Sequence, residues 1–246
     1  MKTNQTDQPD TAQYKKYCRK ILSHKIILAS LIKECVEEFR DFDIHYICDN
    51  CIEGNPEISE IPDLGRDESK PDIQEEQKAF YDIRFYAVVP QSDQLIKLII
   101  NIDIPKKKIH HNARVKLGMY YAARLLSMQD EASFTQAHCR DANMAYSIWI
   151  CPDDSGTIND AIVRYKTAEE VVLGQAPSEF SSGIMQVVTM YLSTCKQDSD
   201  DSKGFVRLMK ILLSAKASID DKTTALKELS DIVPDNMFEK DLIMIK

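Results

Sequence analysis

Glycine is scarce in this chain: 7 of 246 residues, and those are scattered. That excludes a collagen-like or glycine-rich flexible chain, and it leaves no glycine-rich loop to cradle nucleotide phosphates. Long apolar runs are missing as well. The longest, Ile26 to Ile32 and Leu95 to Ile102, are interrupted by polar residues or too short to span a bilayer. Met1 to Thr11 is polar, without the apolar core of a secretion signal, so the seven cysteines are expected to stay reduced in a cytoplasm, with no membrane as partner. Positive charge is in deficit, 31 Lys and Arg against 39 Asp and Glu, for a net −8. A protein that coats nucleic acid through its overall field is thereby excluded, whereas a local basic cleft is not.

The 43% of hydrophobic residues is enough for one large packed domain at this length. Residues 1–13 read as a frayed tail, 14–195 as the main domain, and 196–246 as an acidic spacer with a helical extension. From Ile26 the apolar positions Leu28, Leu31, Ile32, Cys35, Val36 and Phe39 recur at helical spacing, predicting a helix with one buried stripe. On that helix Glu38 falls at the border of the buried face and Glu37 points to solvent. Residues 49–79 read as a loop with one short strand near Ile58 to Ile61.

The period then changes. Tyr81 to Val89 and Leu95 to Ile104 alternate as strands around the turn Pro90 to Gln94, which predicts a hairpin. A helix follows over 112–128, then strands at Ala145 to Cys151 and Ala161 to Thr167. Gly183 to Leu192 suits a strand or a helix, and short helices follow from Phe205. The order implies an α/β protein with a mixed sheet flanked by helices.

Chemistry enters at the hairpin. Burying both apolar faces together brings Asp82, Arg84 and Tyr86 onto the same side as Lys97, Asn101 and Asp103. With the turn centred between Ser92 and Asp93, Asp82 lies across from Asp103 and Arg84 across from Asn101, with Cβ atoms about 5 Å apart. Two carboxylates that close repel unless a cation or proton sits between them, and Mg²⁺ takes one or two carboxylates plus substrate phosphate. The alternative is two solvated strand-end acids, or acids paired with Arg84.

The segments Ile26 to Phe39 (IILASLIKECVEEF), Tyr81 to Phe85 (YDIRF), Ile96 to Asp103 (IKLIINID), Tyr120 to Gln129 (YYAARLLSMQ) and Tyr146 to Cys151 (YSIWIC) together resemble the PD-(D/E)XK nuclease family transposases. These are relatives of the bacterial recombination-promoting nucleases, and the likeness spans roughly residues 20–170. The resemblance implies a restriction-endonuclease-like core and metal-dependent DNA cleavage with Mg²⁺ or Mn²⁺. It assigns the catalytic acids to Asp82, Asp103 and Glu38, with Glu34 as the fallback helix acid. Asp82 and Asp103 would hold the metal.

Two departures weaken the implied activity. Asp103 stands where relatives usually carry Glu, and Pro105 occupies the Lys or Gln position, offering neither charge nor hydrogen bond. Lys106, Lys107 and Lys108 follow at once as substitutes. The alternative is an inactive nuclease-fold protein that binds DNA or a protein partner.

The densest cationic stretch, Lys106 to Lys116 with Arg114, His110 and His111, is a candidate phosphate contact, as is Arg124 on the following helix. Whether the chain pairs as a homodimer is open. His45, Cys48 and Cys51 form an H-x2-C-x2-C cluster without a fourth zinc ligand, so partly buried thiols are the expectation. Trp149, inside an apolar run, reads as core.

Overall fold

The computed structural model describes residues 11–59, 81–90, 95–102, 111–128, 143–153, 160–168, 170–175, 183–193, 204–214 and 217–228. In chain order the elements are α1 (Thr11–Leu22), α2 (Lys25–Cys35), a 3-10 turn (Glu37–Phe39), α3 (Ile44–Asn50), β1 (Ile52–Ile58), β2 (Ile83–Val88), β3 (Leu95–Ile102), α4 (His111–Ser127), β4 (Met144–Asp153), β5 (Ala161–Lys166), β6 (Met185–Ser193), α5 (Phe205–Leu213) and α6 (Ile219–Glu228). The six strands form one mixed sheet in the order β1-β2-β3-β4-β6-β5. β1, β2 and β3 run antiparallel, β3, β4 and β6 parallel, and β5 closes the far edge antiparallel to β6. The expected α/β class with a mixed, helix-flanked sheet is what is seen.

Parallel neighbours need a long crossover, and α4 provides it between β3 and β4. It packs on β4 and β6, its Tyr121, Ala122 and Leu125 meeting Ala145, Trp149, Cys151 and Val187. The opposite face carries the larger core: Phe85, Leu98, Tyr146, Ile148, Ile150 and Val188 lie beneath α1, α2, α3, α5 and α6. Central strands covered on both faces need apolar residues at nearly every position, which is why β4 and β6 read as continuous apolar runs. Gly183 to Leu192, ambiguous in sequence, is resolved as β6, a setting that favours its Val187, Val188 and Thr189. Residues beyond 195 contribute α5 and α6, which join that same core. There the Tyr14 and Tyr17 hydroxyls donate to the carbonyls of Leu213 and Leu212, each at 2.9 Å.

Three local expectations are corrected. α2 buries Ile26 through Ile32 almost all round rather than along one stripe, because the helix lies between the sheet and α3 and α5. It ends at Cys35: Val36 is extended (φ −115°, ψ 118°), so Glu38 sits in the 3-10 turn and not on a long helix. The expected short strand near Ile58 to Ile61 is instead β1, Ile52–Ile58. There Glu53-Gly54-Asn55-Pro56 forms an edge-strand irregularity, with Gly54 at φ +60°.

Candidate functional site

Asp82 lies in the bend just before β2, where pleat alternation no longer governs side-chain direction, and it is 3% exposed. Its carbonyl accepts from Ser59 N at 2.9 Å, extending the β1–β2 ladder by one residue. Its carboxylate turns toward α1. Arg19 Nε and Nη2 meet Oδ1 at 2.8 and 2.7 Å, and Lys15 Nζ meets the same oxygen at 3.2 Å. Lys15 and Arg19 are four residues apart, one turn of α1, so both cations leave the same helix face. Tyr14, Tyr17, Cys18 and Ile21 bury the rest of that helix in the core and hold the cations in place.

The hairpin pairs with a different register from the one expected. Arg84 faces Ile99 and Ile83 faces Ile100, so the same ladder continued sets Asn101, not Asp103, across from Asp82. Relative to the expected pairing, β3 is shifted by two residues along β2, equivalent to moving the turn centre by one residue. The polar faces do coincide, since an even shift preserves parity: Tyr86 pairs with Lys97, whose ammonium lies 5.9 Å from the Tyr86 ring centre. Arg84 is occupied on that face by Glu57, at 3.0 Å through Nε, and by stacking 5.1 Å from the Tyr81 ring centre.

Glu38 accepts from the Tyr146 hydroxyl at 2.8 Å. Burial first, and the Glu38 charge second, hold the Tyr146 phenol well above its usual range. Tyr146 pairs with Leu98 and Leu98 with Phe85, three residues along β2 from Asp82. Strand spacing and rise put Tyr146 and Asp82 about 14 Å apart in the sheet. Glu38 and Asp82 are therefore tied to different elements, the first to β4 and the second to α1. Glu34, the fallback acid, is exposed on the last turn of α2.

Asp103, Pro105, Lys106, Lys107 and Lys108 lie outside the described residues. Lys116 is exposed on α4, and Arg124 lies over the Tyr120 ring at 6.0 Å. His45 is exposed, Cys48 half-buried and Cys51 buried, its thiol 3.9 Å from the Tyr46 carbonyl. Among the described residues no three His, Cys, Asp or Glu side chains gather as a metal site. None of the helices described is long and apolar enough to cross a membrane.

Lys15 and Arg19 were missed by sequence reasoning. The signal was present: two cations one helical turn apart, on the polar side of an amphipathic helix, mark a face looking for an acid. No protein-family model, curated protein or solved structure matches this chain.

Proposed function

We propose that this chain is a metal-dependent DNA endonuclease on a restriction-endonuclease-like core. The element order supports the reading: a helix, three antiparallel strands, a crossover helix and a parallel strand. The observation that carries it is Asp82, a buried acid at the start of β2, placed at the end of the sheet where β3 runs on toward Asp103, with Lys15 Nζ 3.2 Å away. Pro105 leaves the usual Lys or Gln position without charge, and Lys15 and Arg19 bring charge to the neighbouring acid from another element.

A carboxylate oxygen is the right donor type for a hard cation, so Asp82 with Asp103 suits Mg²⁺ or Mn²⁺. Such an ion, when bound, supplies polarisation of a phosphoryl oxygen and a more acidic water. The protein's own residues do the rest. Lys15 and Arg19 hold Asp82 in one orientation and place positive charge where a phosphodiester's negative charge grows during cleavage. Lys106, Lys107, Lys108, Lys116 and Arg124 are the candidate backbone-phosphate contacts, which fix register on DNA without reading sequence. Cutting both strands calls for two copies, hence a homodimer on DNA, and the setting is the cytoplasm.

One observation favours a second reading. Both cations converge on a single oxygen of Asp82, the arrangement expected of a structural tie between α1 and β2. The protein would then keep the fold and bind DNA, or a protein partner, without cutting.

Incubation of supercoiled plasmid with Mg²⁺ or Mn²⁺ separates the two. The first reading expects nicking that is lost in Asp103→Asn and in Asp82→Asn, with circular dichroism confirming that each variant is folded. Nicking that survives both substitutions overturns it. Salt-sensitive DNA retention without cleavage, lost when Lys106, Lys107 and Lys108 become Gln, supports the second.

A further inference from the structure

A cleft of about 470 Å³ opens where the last turn of α2 and the following 3-10 turn meet the edge strand β5, lined by Lys33, Glu34, Arg40, Ile162 and Arg164. It is a separate place from Asp82. β5 and β2 are four strand spacings apart in the sheet, about 19 Å. Its volume falls in the range of small-molecule sites.

The cleft has more donors than the protein uses. Arg164 is fixed from two sides: Nη1 donates to Glu37 at 2.8 Å and Nη2 to the Cys35 carbonyl at 3.1 Å. Its Nε is buried with no hydrogen-bond partner among the described residues, an arrangement that costs free energy unless something completes it. Lys33 gives one of its three N–H groups to the Phe42 carbonyl. The Arg40 guanidinium is exposed, and none of its five donors bonds to a described residue. Three cations face Glu34 and Glu37 there, with Glu38 on the same 3-10 turn and Asp43 beside Lys33, so what the cleft offers an anion is its open donors and not a net positive charge. Ile162 adds an apolar wall.

We propose that this cleft binds a phosphate monoester. Two arginines and a lysine suit that group: guanidinium forks match phosphate oxygens two at a time, and a monoester carries close to two negative charges at neutral pH. The shared chemistry is the terminal phosphate, supplied by a free nucleotide or by the 5′ end of a nucleic-acid strand. Ile162 takes the carbon skeleton in the first case and the first sugar in the second. The site works without the hydrolytic reading, because none of its residues belongs to the proposed metal centre.

Titration calorimetry of the full chain in EDTA tests this with metal chemistry switched off. The probes are inorganic phosphate, adenosine 5′-monophosphate, and one short oligonucleotide bearing either a 5′-phosphate or a 5′-hydroxyl. The expected result is saturable binding of the phosphate-bearing probes, at least tenfold weaker in Arg40→Gln and in Lys33→Gln. The Arg40 side chain bonds to none of the described residues, so its variant should melt at the wild-type temperature and report on the ligand alone. Tighter binding of the phosphorylated oligonucleotide than of the nucleotide assigns the source to a strand end, and the reverse assigns it to a free nucleotide. Equal binding of the phosphorylated and hydroxyl oligonucleotides, no saturable binding at all, or affinities untouched by both substitutions would overturn the proposal.

Discussion

The Lys222 ammonium lies 3.1 Å from the Tyr17 hydroxyl and 4.7 Å from the centre of the same ring. The Tyr17 hydroxyl in turn donates a hydrogen bond to the Leu212 carbonyl at 2.9 Å, so α1, α5 and α6 meet at one polar point inside the apolar core. Lys222 is 2% exposed, and burial pulls its pKa down to about 8.

A lysine titrating lower in the folded chain than in the unfolded one, where its pKa is about 10.4, weakens folding while both states are protonated. That cost is fully present below pH about 8 and fades as pH rises toward the unfolded value. Lys222→Met should therefore stabilise the protein at pH 7 by about 1–2 kcal/mol, with the gain shrinking by pH 10. Urea unfolding of both proteins at the two pH values checks it. The difference between them isolates Lys222 from thiols titrating in the same window.

Those thiols give a second prediction. Burial pushes Cys18 and Cys35 up to about 12. A thiol that ionises later when folded contributes stability that is lost as pH climbs above its unfolded value of about 8.5. At pH 8 neither offers thiolate, whereas half-buried Cys48 is the most accessible of the five described cysteines. Labelling with a disulfide reagent and peptide mapping should find Cys48 modified well before Cys18 or Cys35, which react only on unfolding. Equal native rates would contradict the burial.

Gly118 lies where α4 packs tightly on the sheet. A Cβ there would meet Val187 Cγ1 at 2.6 Å and Trp149 Nε1 at 3.1 Å. Alanine normally helps a helix interior by about 1 kcal/mol over glycine. Here the clash outweighs it, and Gly118→Ala should destabilise by about 1–3 kcal/mol. Chemical unfolding gives the size, and the fluorescence of Trp149, the chain's one tryptophan, reports the displaced helix.

The Glu38–Tyr146 contact separates structure from catalysis. Tyr146→Phe should cost about 1 kcal/mol of stability, and Glu38→Gln and Tyr146→Phe should be less than additive. A double-mutant cycle by thermal unfolding measures that coupling. If Glu38 also belongs to a hydrolytic centre, Glu38→Gln should lower plasmid nicking further than Tyr146→Phe does.

Much of this architecture was legible along the chain. The alternation in Ile83 to Val88 and the apolar run of β4 placed strands within a residue or two, because local period carries that information. The start of α1 was read as tail and no helix was expected over the rest of it, although its Tyr17, Cys18, Ile21 and Leu22 are fully buried. Its partners Leu212 and Leu213 are almost two hundred residues away, and no local pattern announces them.

The sequence by itself determined the mixed α/β class, the strands β2 to β5, the helix α4, and which sides of β2 and β3 are apolar, since these follow from the period of hydrophobicity. Only the tertiary structure decided the hairpin register, the end of α2 at Cys35, and the partners of Asp82 and Glu38. The partners depend on which distant helix or strand supplies a cation or hydroxyl to the carboxylate. A charge needs compensation in space, and spacing along the chain does not encode where it comes from.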